Sequence, residues 1–296
     1  KGGAAFPLKP GTYSTGAYFG KTGSWARYHT GQDFPAPTGT PVYASIPFTE
    51  KQATLEKRLA NFKRDKSTAS YLLTINDPAD LATEAMRSLR TSLHFAMIEA
   101  KNNVLMITGP SPAVGKSFVT TNLAAVVAQS GKRVLLIDAD MRKGYLHKVM
   151  RCDGDKGLSD ILSGRITLFD AIQKTQLNNL HVITHGQLPP NPSELLMHEN
   201  FSRFVKEISH MYDLVIFDTP PILAVTDAAL VGSQAGTTLM VTRYGLNGLK
   251  EIEAAKRRLE QNGLLVKGVI FNAVVRKAST YGEYGYYQYE YASTNK

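Results

Sequence analysis

Cysteine is nearly missing: Cys152 is the one thiol in 296 residues. That excludes an intramolecular disulfide and any zinc cluster built on several thiolates, and it suits a reducing compartment. Long apolar runs are missing too. No stretch approaches the ~18 residues of a membrane-spanning helix, and the opening residues do not read as a signal peptide. The sequence is expected to be soluble by itself, and it is equally compatible with being a piece of a membrane protein. Acidic residues are in the minority, 25 against 34 Lys and Arg, which gives a formal net charge of +9. Such a balance suits anionic lipid heads, acidic polymers or nucleic acid. It is also common, and no nucleic-acid partner is expected from it. Apolar residues make up 43%, enough for a sizeable core in one large α/β domain with an appendage.

Four regions follow from composition and period. Residues 1–44 are rich in Gly, Pro, Thr and aromatics, carry almost no acid, and predict short strands and turns. Residues 45–76 become sharply charged, from Glu50-Lys51 to Lys63-Arg64-Asp65-Lys66, and read as a linker or exposed helix. Residues 77–276 alternate apolar strands with helices. Asp77-Pro78 is expected to start a helix running to about residue 100, with Leu81, Ala85, Leu89 and Leu93 as its buried stripe. Strands are expected at 104–108, 134–137, 180–184, 214–217, 237–242 and 266–271, with helices at 116–129, 193–210 and 248–262. That alternation predicts an α/β fold, a mostly parallel sheet with helices on both faces. Residues 277–296 form a Tyr- and Gly-containing tail expected to be flexible.

The segment Thr108-Gly109-Pro110-Ser111-Pro112-Ala113-Val114-Gly115-Lys116-Ser117 lies between a strand and a helix, the setting of a P-loop. Backbone N–H groups at the helix start face phosphate, and the helix dipole favours negative charge there. Lys116 would bridge the terminal phosphates and Ser117 would offer its hydroxyl to Mg²⁺. Gly109 stands one residue further from Gly115 than the strict spacing asks. The expected nucleotide-binding set is Gly109, Pro112, Val114, Gly115, Lys116, Ser117 and Phe118.

Two further strands end in acid. Val134–Ile137 delivers Asp138 and Asp140, two carboxylates at a strand exit where α/β sites form. Leu214–Phe217 delivers Asp218, followed by Thr219-Pro220-Pro221. A strand ending in Asp is weak evidence alone. Together with the loop, Lys116, Asp138, Asp140 and Asp218 are the expected catalytic set on one MgATP, with Ser117, Asp138 and Asp218 towards the metal. One carboxylate can take a proton from a hydroxyl; which of the three does so is open.

On these motifs, residues of about 43–296 resemble the cytoplasmic kinase domain of bacterial tyrosine kinases, proteins attached to polysaccharide co-polymerases in capsule and exopolysaccharide export. The Pro-containing loop 109–117, the Asp138-x-Asp140-x-Arg142 strand exit, the Asp218-Thr219-Pro220-Pro221 ending and Pro190-Asn191-Pro192-Ser193-Glu194 carry the likeness. The match is nearest the proteobacterial type, in which membrane and kinase parts share one polypeptide. The resemblance implies ATP and Mg²⁺ as cofactors and Asp138 as the base on a phenol. It implies phosphorylation in the tail, at Tyr281, Tyr284, Tyr286, Tyr287, Tyr289 and Tyr291, and an internal regulatory site at Tyr145. It implies a ring-like homo-oligomer built on Glu84, Arg87 and Arg90, with one subunit's tail in the next one's site. By themselves, those three side chains read as a solvated helix face with an i,i+3 ion pair. The implied location is the cytoplasmic face of the inner membrane. The implied partners are the membrane-embedded co-polymerase part, a tyrosine phosphatase and the export machinery.

The opening differs. His29 to Val42 resembles the start of lysostaphin-type zinc endopeptidases, with His29 and Asp33 as the first two ligands. A later His-x-His pair is missing, so the segment is expected to be truncated or fused and inactive as a peptidase. A partition-type or septum-positioning ATPase is the alternative for the whole, although such proteins usually carry an early Lys in the loop and lack a Tyr-rich tail.

Overall fold

Val104–Thr108, Val134–Asp138 and Leu214–Asp218 are five-residue runs with every residue buried. Such strands show no polar alternation, and they fit only inside a sheet covered on both faces. A computed structural model of the chain describes residues 25–27, 33–35, 39–61 and 70–275. Its elements in chain order are β1 (Trp25–Arg27), β2 (Asp33–Pro35), β3 (Val42–Pro47), α1 (Glu50–Ala60), α2 (Leu73–Asn76), α3 (Leu81–Ile98), β4 (Val104–Thr108), α4 (Lys116–Gln129), β5 (Val134–Asp138), α5 (Leu146–Met150), α6 (Leu158–Leu162) and α7 (Leu168–Ala171). There follow β6 (Gln173–Lys174), β7 (Leu180–Ile183), α8 (Pro192–Met197), α9 (Glu199–Met211), β8 (Leu214–Asp218), α10 (Asp227–Gln234), β9 (Thr237–Arg243), α11 (Leu249–Gln261) and β10 (Gly268–Val274).

Eight strands form one sheet in the order β3-β10-β9-β4-β8-β5-β7-β6, parallel except for β6 on β7. A separate antiparallel pair joins β1 to β2. One face of the large sheet carries α3 and α4, whose Met86, Leu89, Leu123 and Val126 pack over Leu105, Ile107, Leu136 and Ile216. The other face carries α9, α10 and α11 over Val104, Met106, Leu135 and Phe217. Helix α9 shows how the sequence dictates this. Phe201, Phe204, Val205 and Ile208 are buried at i, i+3, i+4 and i+7, and polar residues fill the rest up to the terminal Met211, which packs partly on the same core. Helix α4 lies under α3 and is buried nearly all round, so small residues (Ala124, Ala125, Ala128) fill it.

Three expectations change. Helix α3 starts at Leu81, not at 77–78: Asp80 caps it by accepting from Ala82 N, while Asp77 follows the short α2 and pairs with Lys51. Its buried stripe is Ala82, Met86, Leu89 and Leu93, and Leu81 is 58% exposed. The sheet also gains edge strands. β3 joins β10 and so carries residues on both sides of position 44 into the sheet, and the two-residue β6 closes the other side. Among the described residues no helix is long and apolar enough to cross a membrane.

Candidate active site

The loop 109–117 leaves β4 at the centre of the sheet, between β8 and β9. Its shape rests on close approaches. A Cβ on Gly109 would meet Val114 Cγ2 at 2.7 Å and the Val241 carbonyl at 2.9 Å. Gly115 caps α4 at φ +90°, and a Cβ there would fall 2.0 Å from the Asn272 amide nitrogen. The adjacent strands and their exits hold the loop. Asn272 donates to the Val114 carbonyl at 3.0 Å, Arg243 to the Ala113 carbonyl at 3.0 Å, and Asn247 to Ser111 Oγ at 2.9 Å. From the other side, Ile222 N donates to the Gly109 carbonyl at 3.0 Å. Pro112 is exposed, Val114 is buried, and Phe118 packs beside the core.

Asp138 and Asp218 sit at paired positions on neighbouring strands β5 and β8, and both are buried. Ser117 donates to Asp218 Oδ2 at 2.5 Å and Thr120 to Oδ1 at 3.2 Å. Burial raises the Asp218 carboxyl to about 6, even though the Lys116 charge and the two hydroxyl donors pull it back. Asp138 is raised well above the ordinary carboxylate range, first by burial and then by the charge of Asp218. Its oxygens accept from Leu146 N at 3.0 Å and Asp140 N at 3.2 Å. The Asp140 carboxylate is half-buried and caps its own turn, accepting from Arg142 N at 3.2 Å and Lys143 N at 2.9 Å. Lys116 is lowered by burial, with the Asp218 and Asp140 charges opposing.

Lys116, Ser117, Asp138, Asp140 and Asp218 therefore meet in one place. The set fits a phosphate-bound magnesium ion in its chemistry. Ser117 and the three carboxylates offer hard oxygens, and two buried carboxylates side by side concentrate negative charge that a divalent cation would relieve. Among the described residues no group of three or more His, Cys, Asp and Glu could hold a metal alone. A cation here would draw the rest of its shell from phosphate and water, as Mg²⁺ ordinarily does.

Tyr145 also reaches this place. It lines one cavity with Ser117, and removal of its phenol end from water, together with the Asp218 charge, raises the phenol to about 12. The residue as a whole remains 41% exposed. Glu84, Arg87 and Arg90 lie elsewhere, on α3. Glu84 and Arg87 form an ion pair, Arg87 also donates to the Pro78 carbonyl, and Arg90 turns onto α4 to donate to the Val126 carbonyl at 3.3 Å. Tyr281, Tyr284, Tyr286, Tyr287, Tyr289, Tyr291 and His29 fall outside the described residues.

Several site residues escaped the sequence reading. Gly144 has no room for a side chain, since a Cβ would lie 2.5 Å from Asp138 Oδ2. Asn272 had a visible signal: it is the polar residue inside the otherwise apolar run Gly268–Val274, where a buried amide needs a partner. Thr120, Arg243 and Asn247 carried none, because each acts across a long sequence separation.

Residues 103–264 match the AAA domain family. The chain is 56% identical over 260 residues to the tyrosine-protein kinase wzc of Salmonella typhimurium, covering 87% of this chain and 36% of the relative. It thus spans about a third of the length of the curated relatives it matches. Among solved structures, the kinase domain of Escherichia coli tyrosine kinase ETK is 50% identical with a TM-score of 0.75, over 84% of this chain and 96% of that one. The septum site-determining protein MinD of Pyrococcus horikoshii, solved with Mg-ADP, is 25% identical with a TM-score of 0.50, over 57% of this chain and 69% of that one. None of these relatives is a zinc peptidase. A family match over more than half the chain, and near-complete coverage of a half-identical kinase domain, place this chain in the family of bacterial P-loop tyrosine kinases, as a kinase domain.

Proposed function

We propose that the chain is an ATP-dependent protein-tyrosine autokinase that passes the terminal phosphate of MgATP to tail tyrosines of a neighbouring copy. The observation that carries this reading is the meeting of Lys116, Ser117, Asp138 and Asp218 at one loop, with a phenol, Tyr145, lining the same cavity as Ser117. The loop N–H groups and Lys116 hold the phosphates, and burial without water strengthens that attraction. Ser117 and Asp218, with Asp138 beside them, would hold Mg²⁺, which would neutralise charge on the transferring oxygens. Asp138 takes the proton from the attacking phenol, as a carboxylate at the strand exit beside the phosphate loop can. The phenol oxygen gains the phosphoryl group, the bond to ADP breaks, and ADP carries away the electron pair. Asp140 and the turn it caps keep Asp138 oriented.

Tyr145 is the internal regulatory site in this scheme. A phosphate there would add about −1.5 to −2 charge beside Asp218 and Asp138, and repulsion would drive the side chain out of the site. Glu84, Arg87 and Arg90 build a ring-like homo-oligomer. The longer protein would place this domain on the cytoplasmic face of the inner membrane, attached to a co-polymerase part and serving capsule or exopolysaccharide export, with a tyrosine phosphatase resetting it.

The test is incubation of the pure chain with MgATP, followed by intact mass and phosphosite mapping, beside Lys116→Met. Several phosphates on residues 281–291 that vanish in the substituted chain are the expected result. ATP hydrolysed with no phosphotyrosine would overturn the kinase reading and favour a septum-type ATPase.

A further inference from the structure

Arg142 closes the turn that follows Asp138 and Asp140, and its guanidinium reaches α8 and α10. It meets Asp227, the first residue of α10, in a two-pronged contact: Nε to Oδ2 at 2.8 Å and Nη2 to Oδ1 at 3.2 Å. Ser193, in the first turn of α8, donates to the same Asp227 Oδ1 at 2.6 Å and accepts from Arg142 Nη2 at 3.3 Å. Asp227 is fully buried. A buried carboxylate is costly to keep, and apolar residues would join α8 to α10 at least as well. What a bidentate guanidinium pair adds is a fixed direction.

That direction bears on the reacting carboxylates. Asp138 is held by N–H groups of Asp140 and Leu146, and Asp140 by those of Arg142 and Lys143. All four donors belong to the stretch 140–146, and Arg142 ties that stretch to α8 and α10 by hydrogen bonds, beside the packing of Met141 in the same core. The side-chain hydrogen bonds of Arg142, Ser193 and Asp227 run among the three of them and not to the 109–117 loop.

We propose that Arg142, clamped by Asp227 and Ser193, is a positioning residue that sets the aim of Asp138 and Asp140 without taking part in nucleotide binding. What those carboxylates do rests on the kinase reading. The clamp itself is readable on any MgATP turnover.

The experiment compares Arg142→Met, Asp227→Asn, the double variant, Arg142→Lys and Ser193→Ala in the full chain. It measures kcat and KM for ATP turnover, melting temperature, and phosphotyrosine. Arg142→Met should lower kcat by about 10- to 100-fold, as a displaced catalytic group does, with KM for ATP within about twofold. Its melting temperature should fall, because Asp227 is left buried without its counter-charge, with Ser193 still donating to it. The double variant removes both charges; it should regain the melting temperature and keep the low kcat. Arg142→Lys, with charge but no fork, should fall between, and Ser193→Ala should lose about threefold to tenfold. A double variant with wild-type kcat would show the pair to be structural only. A KM that rises while kcat holds would make it part of nucleotide binding. Should the double variant melt below the assay temperature, Arg142→Lys decides: wild-type kcat there overturns the proposal. Wild-type chain that hydrolyses ATP and labels no tyrosine sinks the kinase reading alone, with the clamp still measured on hydrolysis. No ATP turnover in the wild type overturns both.

Discussion

Asp218 carries a conflict that pH can expose. Its carboxyl titrates at about 6 in the folded chain, against 3.8 as its ordinary value. Between those values the native state binds more protons than the unfolded state, so stability falls as pH rises from about 4 to about 6 and then levels off. Asp138, raised by burial in the same way, extends that decline upward. Asp218→Asn removes the charge while keeping an oxygen for one of the two hydroxyls, Ser117 or Thr120; the other hydroxyl can rotate to accept from the new amide. In magnesium-free buffer at pH 7.5 it should stabilise the fold by about 1–3 kcal/mol and flatten the slope between pH 4 and 6. Added MgCl₂ should raise the melting temperature of the wild type and leave the variant nearly unmoved. A variant that melts lower than wild type at pH 7.5 would mean that hydrogen bonding, not buried charge, dominates at this residue. The sequence announced this carboxylate by its place at the end of an apolar strand. It could not announce the pairing of Asp138 with Asp218, because strand order is set by the α4 crossover and by β8 inserting between β4 and β5.

At the scale of elements, α3 separates what period reveals from what it hides. A spacing of four along a helix turns by about 40° beyond a full circle at each step, so Leu81 and Leu93 lie about 120° apart around the axis. They cannot share one narrow stripe. The packed line is Ala82, Met86, Leu89 and Leu93 against α4 and the sheet, and Leu81 stays outside. Met86→Ala should therefore cost about 2–5 kcal/mol in denaturant unfolding, while Leu81→Ala should stay within about 0.5 kcal/mol. Equal losses at the two positions would contradict the observed register. Strands of four or more buried residues were legible throughout. The edge strands were less so: β6 is two residues long, and β3 alternates too little to advertise its partner. The clasp of Asn272, Arg243 and Asn247 on the loop was invisible for the same reason, since each joins the loop across more than 100 residues.

For the whole molecule the open choice is whether a chain phosphorylates itself or its neighbour. Strand β10 runs parallel to β9, and Asn272 near its end already touches the nucleotide loop. The chain therefore leaves the sheet on the same side as the site, and proximity alone does not forbid a reaction within one chain. A neighbour is the proposed acceptor, and the Glu84–Arg87 pair, an exposed ion pair of little worth to a monomer, can be removed to test it. Two chains settle the matter when mixed: Lys116→Met, which has every tyrosine and no activity, and an active chain whose six tail tyrosines are phenylalanine. Transfer to a neighbour predicts phosphate on Tyr281, Tyr284, Tyr286, Tyr287, Tyr289 and Tyr291 of the inactive chain, at an initial rate that rises with the square of total concentration. Glu84→Ala with Arg87→Ala in both chains should slow that labelling and reduce the mass seen by light scattering, while stability changes by no more than about 0.5–1 kcal/mol. Phosphate that never reaches the inactive chain would confine the reaction to one chain and return the α3 ion pair to an ordinary solvated face.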